Sequence, residues 1–488
     1  MARWDRHFWL AGAASIGLWL PLEGVVPGEE ARLRQGFIAR AQSLPIATAA
    51  IAPLPDQQPL TMDDLEGLAL ENNPTLAQAS AAIDIASGNQ IQAGLYPNPQ
   101  VGYLRSDSSP SGRFRSDGVF VGQEIVTAGK LRKSRAVEEQ EVERLRWERE
   151  AQKRRVINDV RIRFYEVLGA QRAAEISQRL LRLAEEGVKT AEQLFEAKQA
   201  SKPDVLQARI QLKTLRISLK EAQARHRSAW KQLANVVGCP DLPGSAVNGR
   251  LDGEIPQLDW NESWQQLLAA SPQMQAAHVR IQHARNEYQR EKAQPIPNVN
   301  VQVVAERDQI QQATQVSTLL SIPVPVFNRN QGNIAHAAAD IREALAEVRR
   351  TELALRDLLA DAFRRYETAQ AQVEELRNEI LPDAEENVDL TTTGYKAGEI
   401  AFLQVLSARQ TYFQSSLAYV EALTEIRKVV VEIDGLLLTG GLNPAAIGTA
   451  LQSQPGIANR QQRLLNQVQE SSSKQTLLPA LQTSSGGP

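Results

Sequence analysis

Pro295-Ile-Pro-Asn-Val-Asn-Val-Gln-Val303 decides how this chain is read. Val299, Val301 and Val303 alternate with Asn298, Asn300 and Gln302, and a period of two puts the valines on one strand face and the amides on the other. The same entry occurs earlier in the chain as Pro97-Asn-Pro-Gln100. Working outward, Asn73-Pro74 precedes the first entry by the same interval at which Ser271-Pro272 precedes the second, a displacement of 198 positions (Pro272 against Pro74). Val205-Leu-Gln-Ala-Arg209 returns as Val405-Leu-Ser-Ala-Arg409. The chain is therefore a duplication, and each copy runs helices, two strands, then a long helical hairpin.

Four strands are expected. Val101 and Tyr103 mark the first apolar face, and Val119, Val121 and Ile125 mark that of the second strand. Val299, Val301 and Val303 mark the third, followed by a run from Val316 to Val326 that aligns Leu320, Ile322 and Val324. Polar loops, Arg105–Asp117 and Arg307–Gln312, join each pair. An isolated sheet of this kind leaves two edges unpaired, and two readings are open. One is a small soluble sheet packed on a helix. The other is a transmembrane barrel, whose strands alternate apolar-out and polar-in. Three chains would close such a barrel with about twelve strands.

The helical segments are long. No proline interrupts Lys130 to Ala197, and only Pro382 interrupts Asn333 to Ala397. At about 1.5 Å per residue each spans on the order of 100 Å. Leu355, Leu359, Ala362, Tyr366, Ala369, Val373, Leu376 and Ile380 form a heptad seam, which predicts coiled-coil packing. Pro382 predicts a local break, because it lacks an N–H and crowds the preceding turn. Thr61 with Asp63 and Asp64 predicts a capped helix start, as do Pro74 and Pro272. The hairpins turn at Lys198–Lys202 and at Gly398-Glu-Ile400, and the returning helices run to about Val237 and Leu438.

The expected organisation is a secretory signal in 1–25, a leader in 26–58, repeats in 59–238 and 259–440, a Pro- and Gly-rich linker in 239–258 and a polar tail in 441–488. Arg3 and Arg6 precede the apolar run Phe8–Leu22, which is short of the roughly 20 residues a spanning helix needs. An uncleaved signal-anchor is the alternative. The net charge of −3 gives no electrostatic footprint for nucleic acid. Cys239 is the only cysteine, so an intrachain disulfide and a cysteine-based zinc site are both excluded. The five histidines are scattered, with His278 and His283 off a common helix face, and phosphate-binding loops and nucleophile elbows are absent. No cofactor, metal site or catalytic residue is expected, and the protein reads as non-enzymatic.

The duplicated layout, the Asn/Ser-Pro helix starts, the Pro-x-Pro strand entries and the paired hairpin tips resemble the TolC-type outer-membrane factor family across residues 60–440. The stretch Ile322-Pro-Val-Pro-Val-Phe-Asn-Arg-Asn-Gln-Gly-Asn-Ile334 is similar to members serving cation-efflux and related RND pumps. The resemblance implies a mainly α chain with a membrane β-barrel portion. A homotrimer would form a twelve-stranded barrel in outer-membrane lipid, continued by a helical tunnel in the periplasm. It implies passive export of small molecules or metal cations, received from an inner-membrane RND-type pump through a periplasmic adaptor. A type I protein-secretion duct and, from another class, a periplasmic coiled-coil scaffold are the alternatives.

By position in the family's motifs, Asp204 and Tyr395 match a polar pair that holds the tip closed. Gln404 and Ser407 stand at the constricted entrance, where other members carry acidic residues that select cations. Leu206, Ala208, Arg209, Gly398, Leu406, Ala408 and Arg409 match the tip positions that meet the adaptor.

Overall fold

A computed structural model of the chain describes residues 60–107, 115–198, 200–244, 246–308, 312–397 and 399–443. The expected signal, leader and all but the first residues of the tail lie outside the described residues, as does Gly398.

The first repeat opens with α1 (Met62–Asn72) and α2 (Pro74–Ala93). Thr61 caps α1 reciprocally: its hydroxyl accepts from the Asp64 N–H at 3.3 Å, and the Asp64 carboxylate accepts from the Thr61 N–H at 3.1 Å. That bonding holds the Asp64 carboxyl below its ordinary range. Asn73 caps α2 by accepting from Thr75 N–H, and its amide donates to Val236 O at 2.8 Å, which ties the helix start to the far end of the repeat. Strands β1 (Gln100–Asp107) and β2 (Arg115–Ile125) follow, then α3 (Lys130–Glu196) and α4 (Lys202–Val237). The second repeat gives α5 (Trp260–Ala270), α6 (Pro272–Ala293), β3 (Val299–Asp308), β4 (Thr314–Ser321) and α7 (Gln331–Glu375). A π-helical turn (Leu376–Ile380) leads into α8 (Leu381–Ala397), and α9 (Phe402–Asp434) returns.

With 67 residues, α3 is the spine. Along its first part Ala82 and Ala86 of α2 pack on Val142 and Leu145, while Asn286 of α6 donates to Ala136 O at 3.0 Å. Farther along, α4 and α9 take over as its neighbours. The α3–α9 approach is close because Gly169 has no side chain: a Cβ there would collide with Thr424. Ile281 and Ala284 of α6 pack on Ala344 of α7. The helices thus form one layer, and the sheet continues one end of it.

At mid-length on α3 a buried polar hub receives the chain leaving α9. Gln152, fully buried, donates to Thr75 Oγ1 and Gly441 O, both at 2.9 Å. Asn158 donates to Gly435 O at 2.8 Å and Leu438 O at 2.7 Å. Asp159 accepts from the Gly440 and Gly441 N–H groups. This explains why α9 ends at Asp434 and not near Leu438 as expected. Leu436 and Leu437 adopt positive φ (60° and 58°), a conformation costly for these residues and held by the side chains of α3.

The heptad seam holds for six positions, with Leu355, Leu359, Ala362, Tyr366, Ala369 and Val373 all buried. Leu376 is only half-buried and Ile380 is exposed. Both lie in the π-helical turn, where the Leu381 N–H donates to Leu376 O. The wider turn takes up the break that Pro382 imposes and rotates the stripe off the seam.

The sheet order is β1-β2-β3-β4, antiparallel throughout. Val101 pairs with Val121, Val121 with Val303, and Val303 with Thr318, while Tyr103 pairs with Val119 and Val301 with Leu320. Val101, Tyr103, Val119, Val121, Ile125, Val299, Val301, Val303 and Leu320 therefore share one face of the sheet. From Val119 to Ile125 that face runs for about 20 Å. At the loop end it is closed by a charged row, Arg105 opposite Asp117 opposite Arg307.

Ile322 and Val324 do not extend this face as expected, because β4 ends at Ser321. Pro323 and Pro325 cannot donate to a ladder, so pairing stops there, and Val326 N–H instead closes a tight turn onto Val324 O at 2.9 Å. The opposite face carries Asn300, Gln302, Ser317 and Ser321 but also Leu104, Phe120, Val304 and Leu319, so it is mixed and not purely amide. Phe120 lies across Gly102, where any side chain would collide with its ring.

Candidate functional site

Two parts of the fold are candidates: the one-faced sheet and the tips of the two hairpins. The sheet's apolar face is open. Val101 is 75 % exposed and Leu320 is 62 % exposed, and no described element covers them. Such a face is ordinary only against lipid or another protein surface. None of the described helices is long and apolar enough to cross a membrane.

At the tips, the hairpins pack on each other. Val188 and Ala191 of α3, Val205 and Ala208 of α4 and Phe402 of α9 form a buried cluster, with Leu212, Tyr395 and Leu406 against it. The Tyr395 and Phe402 rings meet at a tilt of 49°, 5.3 Å between centroids. Gln211 donates to Gln410 at 3.1 Å across the α4–α9 seam.

The expected bond between Asp204 and Tyr395 is not made. Asp204 lies at the third position of α4, where its carboxylate accepts from the Ser201 N–H at 2.9 Å and the Ser201 hydroxyl at 2.6 Å. It is committed to capping its own helix. The Tyr395 hydroxyl is buried with no hydrogen-bond partner among the described residues. Burial pushes its phenol up, and the nearby Asp204 carboxylate adds to the shift.

Gln404 and Ser407 are both exposed, three residues apart on one face of α9. Among the expected docking residues, Leu206 and Arg209 are exposed, and Arg209 pairs with Glu192 of α3 at 2.6 Å. Ala208 and Ala408, each 4 % exposed, lie inside the hairpin packing. Ala408 therefore presents almost no surface, whereas Ala208 forms part of the wall of a groove between the hairpins. Leu406 is half-buried and lines, with Leu183, Gly187, Leu215, Phe402 and Arg409, the same shallow groove between α3, α4 and α9. Burial lowers the Arg409 guanidinium from its ordinary value, and Glu186 opposes that shift.

Sequence reasoning missed Phe402 and the α3 positions Val188 and Ala191, on which the tip is built. Their three-residue spacing was visible, but nothing in it says which stripe meets the second hairpin. Among the described residues no three metal-ligating side chains converge.

Comparison with known proteins decides the family. The model of the outer membrane efflux protein family matches twice, over residues 65–239 and 264–437. The chain belongs to the outer membrane efflux protein family. The cobalt-zinc-cadmium resistance protein CzcC of Cupriavidus metallidurans is 27 % identical over 424 residues, covering 86 % of this chain and 99 % of that protein. Among solved structures, the transmembrane-channel protein CusC superposes with a TM-score of 0.67 at 17 % identity, over 81 % of this chain and 99 % of that one. The outer-membrane channel OprN superposes at 0.66 with 20 % identity, over 78 % and 91 %. At those identities the likeness to the solved channels is one of fold. As an outer membrane efflux protein, the chain has an open apolar sheet face of the kind lipid covers, and its place is the outer membrane.

Proposed function

We propose that three copies of this chain form the exit duct of a tripartite metal-cation efflux system. The observation that carries the proposal is a four-stranded sheet with one apolar face and two open edges, built onto helical hairpins that are themselves open at both sides. Ile210 and Ile217 on α4 are exposed at one side of the helical layer, and Leu353, Leu358 and Leu390 on α7 and α8 at the other. Both the sheet and the layer need further copies for closure. Three would supply about twelve strands. Similarity to CzcC over nearly that protein's whole length favours divalent transition-metal cations as cargo.

In this reading the two repeats, 59–238 and 259–440, each contribute about a sixth of the closed wall, strand pair and hairpin together. The cargo enters at the tips, delivered by an inner-membrane RND-type pump through a periplasmic adaptor. Leu406 and Arg409 offer the adaptor an apolar groove with a guanidinium edge, and Leu206 and Arg209 offer it exposed side chains on α4. Gln404 and Ser407 line an uncharged entrance, so cation selection falls to the pump and not to this constriction. The work of the duct is to exclude lipid and water from the wrong paths.

The test is conductance of the detergent-purified protein in planar bilayers together with its native mass. Discrete steps from a trimer are expected, and a soluble monomer without steps would refute the duct. Deleting the gene should sensitise cells to cobalt, zinc or cadmium, with rescue by the intact chain.

A further inference from the structure

The duplication makes one junction inside the chain and leaves its two halves exposed at the chain's own edges. Where β2 leaves the sheet and β3 enters it, the link is specific. The Thr127 hydroxyl donates to Pro297 O at 2.6 Å, and the Thr127 N–H donates to Asn298 Oδ1 at 3.3 Å. Lys130 Nζ reaches the same oxygen at 2.8 Å. Lys130 is buried there, and Thr127 and Asn298 are half-buried.

The second repeat has the same exit. Both long helices start after a left-handed residue, Gly129 (φ 63°) before α3 and Asn330 (φ 59°) before α7. Alignment on these residues puts Asn328 where Thr127 stands and Gln331 where Lys130 stands. The first repeat has the same entry, with Pro99 and Gln100 in the places of Pro297 and Asn298. Within one chain, among the described residues, Asn328 and Gln331 bond only their own exit loop. Asn328 Oδ1 accepts from Asn330 N–H at 3.0 Å, and the Gln331 amide accepts from Arg329 N–H at 2.8 Å and donates to Phe327 O at 3.3 Å. Asn328, Gln331, Pro99 and Gln100 are all exposed. Phe327 beside them is 92 % exposed, and Tyr96 is 73 % exposed. The exit itself is firmly held, because Asn330 donates to Glu291 O at 2.9 Å and to the Glu291 carboxylate at 2.7 Å.

We infer that the two exposed halves complete each other between copies: Asn328 and Gln331 of one chain bind Pro99 and Gln100 of the next, with Phe327 packed beside Tyr96. Strand direction permits this. In an antiparallel order β1-β2-β3-β4, the end of β4 and the start of β1 lie at the same end of the sheet. Closing β4 onto β1 of a second copy therefore sets 322–331 alongside 94–100. The chemistry also fits: the Asn328 amide can donate to the Pro99 carbonyl as Thr127 does to that of Pro297, and two glutamines form a reciprocal amide pair. Covering Phe327 removes the most exposed large apolar side chain described in the chain.

This inference rests on the trimeric reading above, and the experiment separates the two. In a Cys239→Ser background, Asn328→Cys is combined with Gln100→Cys, and separately Gln331→Cys with Gln100→Cys. Each detergent-extracted full chain is oxidised and run without reductant beside its native mass. Dimer and trimer bands that collapse on reduction, with loss of free thiol, are expected from at least one pair. A native trimer whose thiols all stay free in both pairs overturns the junction and assigns Phe327 and Tyr96 to lipid. A native monomer without bands overturns the junction and the trimer together.

Discussion

Ser201, Asp204 and Tyr395 show how one carboxylate is contested at the hairpin tip. Both Asp204 contacts described go to Ser201, and they complete the cap of α4. Ser201→Ala is expected to cost about 1 kcal/mol of stability, the usual worth of a helix cap, read as a lower midpoint in chemical denaturation. Tyr395→Phe removes a hydroxyl that has no hydrogen-bond partner among the described residues, so it should change stability by under about 1 kcal/mol. A large loss in the same assay would show that Tyr395 has a partner in the assembled protein.

His283 on α6 carries a pH dependence of definite sign. Burial is the main cause that lowers its pKa, and Arg280, whose Nη1 lies 3.3 Å from Nδ1, adds to it. Glu287 on the same helix, Glu141 from α3 and Asp340 from α7 oppose the shift. With the folded pKa below the ordinary 6.5, the unfolded chain takes up a proton that the folded chain declines. Stability from this site is therefore complete above pH 6.5 and is lost as pH falls below it. Thermal midpoints measured from pH 7.5 down to about 5 should fall less steeply in His283→Gln than in the parent. Equal slopes would remove His283 as the cause.

Elements show where periodicity and covalent structure disagree. The α7 stripe packs as its heptads require until Val373, after which the π-helical turn before Pro382 diverts it. Position along the stripe should then govern the cost of truncation. Leu359→Ala, at a site 1 % exposed, is expected to cost about 2–5 kcal/mol. Ile380→Ala, at 38 % exposure, should cost under about 1 kcal/mol. If Ile380→Ala proved as costly in the assembled protein, that side chain would lie in an interface between copies.

On the scale of the whole molecule, the two faces of the sheet have different solvents. Val301 lies on the apolar face and Gln302 on the other. An arginine on the lipid face of a barrel near the midplane costs about 2–4 kcal/mol. Val301→Arg should accordingly deplete the folded protein from the outer-membrane fraction, whereas Gln302→Arg should leave its level unchanged. Equal depletion by both would mean that lipid does not cover the valine face.

Much of this architecture is local, and local features are legible in a sequence. The caps at Thr61, Asn73 and Ser271, the proline starts of α2 and α6, and the strand faces each follow from the residue types within a few positions. The duplication was legible because its punctuation, Pro-x-Pro and Asn/Ser-Pro, has few alternatives in backbone geometry. What the sequence left open depends on distant partners. Asp204 could bond the distant Tyr395 or the local Ser201, and the capping box three residues back takes it, which leaves the Tyr395 hydroxyl without it. Ala208 and Ala408 look like small contact residues, yet the mutual burial of two hairpins leaves each with little exposed area. Leu436 and Leu437 read as helix until Asn158 and Gln152, nearly 300 positions earlier in the chain, capture the backbone beyond α9. Periodicity and proline chemistry act over one or two turns and so are written in order along the chain. Hydrogen-bond competition and burial are settled between segments far apart in sequence, and only the tertiary structure brings those segments together.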